Sequence, residues 1–281
     1  MIEVLQKIVQ EKRTQGFQPI YIRNVLKEYL QVYVLFFIYT SKKYSKNLVF
    51  TGGTCLRHFY GLDRLSEDID FDFFETIDPE ALRYDVDYFF VSTYKYKKIS
   101  VALKQKGQQL LLKFPVLKQL GLASGNESDL LYVKVDLAPC PSKTHSIVIT
   151  SKSQFGFNYA ARHYDLPDLM AGKLHAILTR RYLKGSENRE TIKGRDFYDL
   201  LWFIKKGVRP ALQRLSEMLG RSMTLEALAI EVDDRVRVFV QKHTHDFKMD
   251  LTPLIQNTEF IPMYLDNYLK EYRRFKQQSF G

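Results

Sequence analysis

The chain is poor in cysteine and tryptophan, with two Cys and one Trp in 281 residues. Cys55 and Cys140 are too few for the disulfide framework that staples small secreted domains, and such usage fits a reducing compartment. A long apolar run is also missing. The most hydrophobic stretch, residues 29–41, lies between Glu28 and Lys42. A bilayer span takes about 20 apolar residues, so this stretch is expected to be a buried helix. The opening MIEVLQKIVQEKR lacks the basic start, apolar run and small-residue cleavage site of a signal peptide. These absences make a cytoplasmic protein with no membrane partner the expectation. Repeats, low-complexity tracts and Pro- or Ser-rich linkers are absent from the sequence too. The six histidines form no spaced metal motif, and His243-Thr244-His245 reads as a solvated helix end rather than a zinc site. No Ser-His-Asp or Cys-His arrangement stands out, and Cys55 is expected to pack inward.

What is present is globular in character. Hydrophobic residues make up 45% and charged residues 26%, and the length suffices to bury a proper core. Lys and Arg number 42 against 32 Asp and Glu, a formal net charge of +10. That balance favours a polyanionic partner such as nucleic acid, or a phosphate-rich substrate.

Hydrophobic periodicity divides the chain into three stretches. Residues 1–45 look helical, with Ile22, Val25, Leu26, Tyr29, Leu30 and Tyr33 at helical spacing. Leu48-Val49-Phe50 is a short apolar run, Gly52-Gly53 a turn, and a helix is expected over 54–60. Strands are expected over 68–74, 99–103, 108–114, 130–137 and 147–150, with a helix over 79–94. Beyond residue 166 strands are scarce, and helices are expected over 169–182, 197–206, 210–219, 225–241 and 263–276. The expected fold class is therefore α+β: a mixed sheet with flanking helices, then a helical C-terminal half. The domains would be 1–160, the N-terminal helices with the α/β core, and 161–281, the helical part.

Most of the chemical information lies in Ser66-Glu67-Asp68-Ile69-Asp70-Phe71-Asp72-Phe73. Alternate side chains of a strand share a face. Ile69, Phe71 and Phe73 would enter the core, and Asp68, Asp70 and Asp72 would form a row of like charges. Such a row repels itself unless a cation or water relieves it. Carboxylates two residues apart can grip Mg²⁺, which keeps several waters and takes its remaining ligands from substrate phosphates. The plainer alternative is a solvated face of an edge strand. Just upstream, Gly52, Gly53 and Thr54 open a helix. Glycine lets the backbone approach a phosphate, the helix N-terminus offers free N–H groups and a positive dipole, and the Thr hydroxyl adds a donor. Here the plainer alternative is a glycine turn with Thr as N-cap. Phosphate cradle and carboxylate strand together point to a triphosphate–metal site.

The run Phe50-Thr51-Gly52-Gly53-Thr54-Cys55-Leu56-Arg57, followed by Arg64-Leu65-Ser66-Glu67-Asp68-Ile69-Asp70-Phe71, resembles the AbiEii/AbiGii toxin family. That family is in turn similar to the polymerase-beta-like nucleotidyltransferases. The resemblance implies a polymerase-beta-like nucleotidyltransferase core, NTP as substrate, and Mg²⁺, or Mn²⁺ in its place, as cofactor. Arg57 and Ser66 would join Gly52, Gly53 and Thr54 in binding substrate. It also implies a third carboxylate on a neighbouring strand. In Leu131-Tyr132-Val133-Lys134-Val135-Asp136-Leu137 this would be Asp136, as metal ligand or acceptor of the attacking hydroxyl's proton. The plainer alternative is a surface Lys–Asp strand face.

Two later motifs extend the resemblance. Lys173, within Asp168-Leu169-Met170-Ala171-Gly172-Lys173-Leu174-His175, is similar to a family lysine that would contact the triphosphate and offset charge on departing pyrophosphate. Lys193-Gly194-Arg195-Asp196-Phe197-Tyr198-Asp199 resembles the family's Arg-Asp-x-x-Asp segment. Asp196 is the expected site residue, positioning Lys173 or the nucleotide, and Asp199 would support it, for instance by bonding an Arg. The plainer alternatives are a solvated Lys and acids favoured at a helix N-terminus.

The resemblance further implies a toxin of a toxin–antitoxin pair, with an antitoxin protein as a partner. Some relatives add nucleotides to the 3′ end of tRNA, which makes tRNA the expected acceptor. The runs at 95–98, 180–184 and 272–276 mix cations with aromatics in a way that suits single-stranded RNA, or equally a solvated helix face. The remaining alternatives are a protein or small-molecule acceptor, or a binding module without catalysis.

Overall fold

A computed structural model describes residues 1–180, 182–184 and 189–281, with backbone alone at 182–184 and 189–190. The chain divides into two compact units. The first comprises Met1–Phe59, Leu65–Cys140 and Ile147–His163, and the second Tyr60–Arg64, Pro141–Ser146 and Tyr164–Gly281.

The first unit begins with helices α1 (Ile2–Thr14) and α2 (Pro19–Thr40). Strand β1 (Leu48–Thr51), helix α3 (Gly52–Tyr60), strand β2 (Asp68–Phe73) and helix α4 (Pro79–Tyr88) follow. Then come β3 (Ser100–Lys104), β4 (Gln109–Pro115), β5 (Leu130–Pro139), β6 (Ile147–Gln154) and β7 (Phe157–Tyr164). They form one seven-stranded mixed sheet in the order β3-β4-β5-β2-β1-β7-β6. β2 pairs antiparallel with β1 and parallel with β5, so it is a central strand with a partner on each side. A solvated edge strand is thereby excluded as the explanation of its acids.

Strict alternation sets which residues enter the core. Leu110, Leu112 and Phe114 of β4 and Leu131, Val133, Val135 and Leu137 of β5 are buried, and Tyr132 and Lys134 between them are exposed. In β2 the buried apolar residues are Ile69 and Phe71. Helix α2 covers that side, its Tyr39 ring 6.2 Å from Phe71. The apolar stretch 29–41 is thus the buried helix that its composition required. Asp72 departs from expectation: it is buried, so the half-buried acids left on β2 are Asp68 and Asp70.

Several boundaries differ from those read in the sequence. The helix expected over 79–94 ends at Tyr88 and continues as a π-helical turn, Phe89–Thr93. β7 was not expected: Ala160, Ala161 and Asn158 are weak strand formers and mask its alternation, although Phe157, Tyr159, Ala161 and His163 are all buried. β6 and β7 are joined by Phe155 and Gly156, both with positive φ (52° and 82°), as the tightest hairpin turn demands.

The second unit is largely helical: α5 (Leu166–Thr179), α6 (Gly194–Lys205), α7 (Leu212–Leu219), α8 (Leu225–Lys242), α9 (Thr244–Leu251), α10 (Phe260–Phe275) and α11 (Gln277–Phe280). A small ribbon of β8 (Tyr182–Lys184) and β9 (Arg189–Thr191) lies between α5 and α6, where helix had been expected to reach residue 182. The side chains of the aromatic–basic run at 181–184 lie outside the described residues. The core of this unit is aromatic. Phe239 stacks on Phe197 at 4.4 Å, and the Tyr268 hydroxyl donates to the Phe197 carbonyl at 2.8 Å. His243, expected to be solvated, instead bonds Asp246 through Nδ1 at 3.0 Å. Among the described residues no helix is long and apolar enough to cross a membrane.

Helix α6 approaches α9 so closely at Gly194 that a β-carbon there would overlap the Phe247 backbone. Overpacking of this kind costs about 1–3 kcal/mol. Gly194→Ala is therefore expected to lower the free energy of unfolding by that amount, read as a lower urea midpoint, and an unchanged midpoint would show that α6 and α9 pack more loosely.

Candidate active site

The carboxylates of the first unit are placed by strand register. In the parallel β2–β5 ladder Asp70 lies opposite Asp136 and Asp68 opposite Lys134. Paired residues share a face, so all four project from the side opposite the core. Lys134 Nζ lies 3.8 Å from Asp68 Oδ1, a cation beside the first acid. Gln109, across from Asp136 on β4, donates its amide to Asp136 Oδ1 at 2.7 Å.

The glycine pair opens α3 itself instead of preceding it. Gly52 has φ +74°, a backbone state that side chains with a β-carbon disfavour, and a β-carbon there would overlap the Asp70 carboxylate. Glycine is needed twice over at this position, once for the turn and once to admit Asp70. The acid is thereby seated at a helix N-terminus, whose first-turn N–H groups lack intrahelical partners. Thr54 does not cap the helix. Its side chain is buried and its hydroxyl donates to the Asp68 carbonyl, tying α3 to β2. The hydroxyl is therefore committed to the fold. Cys55 is fully buried, and burial, reinforced by the neighbouring Asp70 charge, holds its thiol well above the ordinary range.

Two further residues expected to bind substrate sit in the framework. Arg57 Nε donates to Glu28 Oε1 of α2 at 2.6 Å. Ser66 is buried, and its carbonyl accepts from Gln31 Nε2 at 3.1 Å.

The available donors are all carboxylate oxygens. Among the described residues no group of three His, Cys, Asp or Glu side chains is arranged as a metal cage. Asp68 and Asp70 lie two residues apart on one face, with Asp136 opposite Asp70 and one of its oxygens bonded to Gln109.

The second unit carries the other two motifs. Lys173 Nζ lies 2.7 Å from Asp196 Oδ1 and 2.8 Å from Asp199 Oδ2. Asp199 is fully buried and receives two bonds from Arg64, Nε to Oδ1 and Nη2 to Oδ2, each 2.6 Å. Two cations and two anions thus balance inside the unit. Burial opposes charge on Lys173, yet Asp196 and Asp199 raise its pKa above the ordinary value. Burial likewise opposes charge on Asp199, yet Arg64 and Lys173 hold its pKa below the usual carboxylate value. Arg64 had not been singled out in the sequence, and Asp199 had been given only a supporting part. The signal for both was their position, at the head of the Arg-x-Ser-x-Asp run and at the end of the Arg-Asp-x-x-Asp segment.

Comparison with known proteins now becomes decisive. A family model described as "Nucleotidyl transferase AbiEii toxin, Type IV TA system" matches residues 37–278, spanning both acid-bearing strands and the Lys173 and Asp196 motifs. The chain belongs to this AbiEii toxin family. No curated protein matches the sequence. Among solved structures, MenT4, a nucleotidyltransferase toxin from Mycobacterium tuberculosis, shares the fold with a TM-score of 0.57 at 16% identity, covering 99% of this chain and 94% of that one. JHP933 from Helicobacter pylori gives 0.48 at 17% identity over 91% of this chain and 94% of its own. Only the first is close enough to describe the fold. This AbiEii chain is thus a toxin-type nucleotidyltransferase of a type IV toxin–antitoxin system, whose counterpart is an antitoxin.

The Arg64–Asp199–Lys173 cluster makes a stability prediction. Breaking a buried ion pair from one side costs about 3–5 kcal/mol. Asp199→Asn should lose that much in urea unfolding at neutral pH. Because the folded pKa of Asp199 is depressed, its contribution is fully present above the unfolded carboxyl value of about 3.9 and fades as pH falls through the lower folded value. The gap between wild type and Asp199→Asn should therefore narrow on acidification below that range. A gap independent of pH would contradict the cluster.

Proposed function

We propose that this AbiEii protein transfers a nucleoside monophosphate from an NTP to an acceptor hydroxyl, and that the acceptor is the 3′ end of tRNA. The observation that carries the reading is the seating of Asp70 over Gly52, in register with Asp136 and two residues from Asp68. Charge supports the RNA acceptor, since a chain at +10 attracts a polyanion.

The chain's own groups divide the work as follows. Backbone N–H groups at Gly52, Gly53 and Thr54 receive the triphosphate at the start of α3. Asp68 and Asp70 would hold Mg²⁺, which suits two carboxylates on one face because it takes one or two of them and completes its shell with water and phosphate oxygens. When bound, the ion would neutralise phosphate charge and polarise the phosphorus centre. The acceptor oxygen attacks the α-phosphorus, the α–β phosphoanhydride bond breaks, and pyrophosphate leaves. Asp136, its carboxylate oriented by Gln109, takes the acceptor's proton. Lys173 keeps the part its motif implies, offsetting charge on pyrophosphate, with Asp196 and Asp199 fixing its ammonium.

Incubation with α-³²P-labelled NTPs, Mg²⁺ and total cellular RNA tests this reading. Wild-type protein should label tRNA. Asp70→Asn should stay folded and lose transfer by at least about a hundredfold, since only interactions at the reacting phosphate are removed. Gly52→Ala should cost about 1–2 kcal/mol of stability through its left-handed backbone, and transfer should fall because Asp70 must move. Lys173→Ala should lose most turnover, and Lys173→Arg should recover only part. Label on protein or on a small molecule would replace tRNA as acceptor, and full activity in Asp70→Asn would sink the whole reading.

A further inference from the structure

The carboxylate face of the sheet continues across β5, β4 and β3, half-buried to exposed. One row from Asp70 and Asp136, Lys134 pairs with Leu111, and Leu111 with Ala102. One row further, Tyr132 pairs with Lys113. On the near side Lys104 pairs with Gln109. Tyr132 is 37% exposed, unlike the core tyrosines, and Lys134 and Lys104 are exposed as well. Sheet residues on the buried face are nearly all apolar, so this face alone combines an exposed ring, an apolar floor and ammonium groups.

We infer that this face is the platform on which the 3′-terminal single strand of the acceptor RNA lies. The inference rests on the nucleotidyltransferase reading above. Rows two residues apart are about 6.6 Å from one another, which puts Tyr132 and Lys113 about 13 Å from the Asp70–Asp136 row. That is room for more than one nucleotide behind the terminal hydroxyl. Tyr132 offers its ring to a base, Leu111 and Ala102 form the floor beneath the strand, and Lys113 and Lys134 meet phosphates. An aromatic ring among cations on an open sheet is the chemistry that holds single-stranded RNA with little sequence preference. Within β5 and β4, where Tyr132, Lys134 and Lys113 lie, both strands are paired on each side, so a protein strand could add only at β3, beyond these side chains.

The test uses fluorescence anisotropy with a 5′-labelled single-stranded RNA oligonucleotide and with total tRNA, in the Asp70→Asn background to prevent turnover. Tyr132→Ala should weaken both probes about tenfold or more, the scale of one lost stacking contact, and Tyr132→Phe should bind as the parent does. Lys113→Ala should reduce the slope of log affinity against log salt by about one. Tyr132 is exposed and Lys113 half-buried on the face opposite the core, so the variants should keep the parent's unfolding midpoint. If Tyr132→Ala and Lys113→Ala bind and, with Asp70 restored, label RNA as wild type does, the platform is wrong and transfer to RNA stands. If wild type uses NTP but neither binds nor labels RNA, the platform and the RNA acceptor fall together while nucleotidyl transfer remains.

Discussion

The register of β2 between β1 and β5 constrains everything else in the first unit. Six residues of β2 pair in parallel with six of β5, and four pair antiparallel with β1. The side-chain period of a strand is two, so a slip of one residue would turn Asp68 and Asp70 into the core and Ile69 and Phe71 out of it. Burial of Ile69 and Phe71 under α2 therefore fixes the acids on the open face. Apolar packing on one side of the sheet is what sustains like charges side by side on the other. The same register sets Asp136 beside Asp70 and Lys134 beside Asp68. The bond from Thr54 to the Asp68 carbonyl then ties the helix N-terminus to this strand.

The second unit solves a related problem by a different route. Lys173, Asp196, Asp199 and Arg64 are all charged and all largely buried. Little solvent reaches them, so they relieve one another. Burial by itself would favour a neutral Lys173 and a neutral Asp199, and the mutual attraction overcomes it for both. The result is an ammonium whose charge persists well beyond neutral pH.

Much of this was legible in the sequence, for identifiable reasons. Strand β2 could be read because its acids and apolar residues alternate without interruption, and α2 because its apolar run has no other home. The family could be read from the glycine pair and the Arg-x-Ser-x-Asp-Ile-Asp run. Long-range pairings could not. Arg64 meets Asp199 from 135 residues away, and Arg57 meets Glu28 on another helix. Neither pairing leaves a local pattern. The buried hydroxyl of Thr54 was equally hidden, since a Thr at a helix start serves as cap, phosphate donor or tie with the same local sequence. Strand β7 was missed because weak strand formers concealed an alternation that the fold nonetheless uses.

In the proposed site an NTP and a divalent cation meet at β2 and the start of α3. Anomalous diffraction from crystals grown with Mn²⁺ and a non-hydrolysable NTP analogue examines it most directly. The expected result is an anomalous peak ligated by Asp68 and Asp70, with the triphosphate over the backbone of Gly52 to Thr54. A peak elsewhere, or a nucleotide bound away from α3, would contradict it.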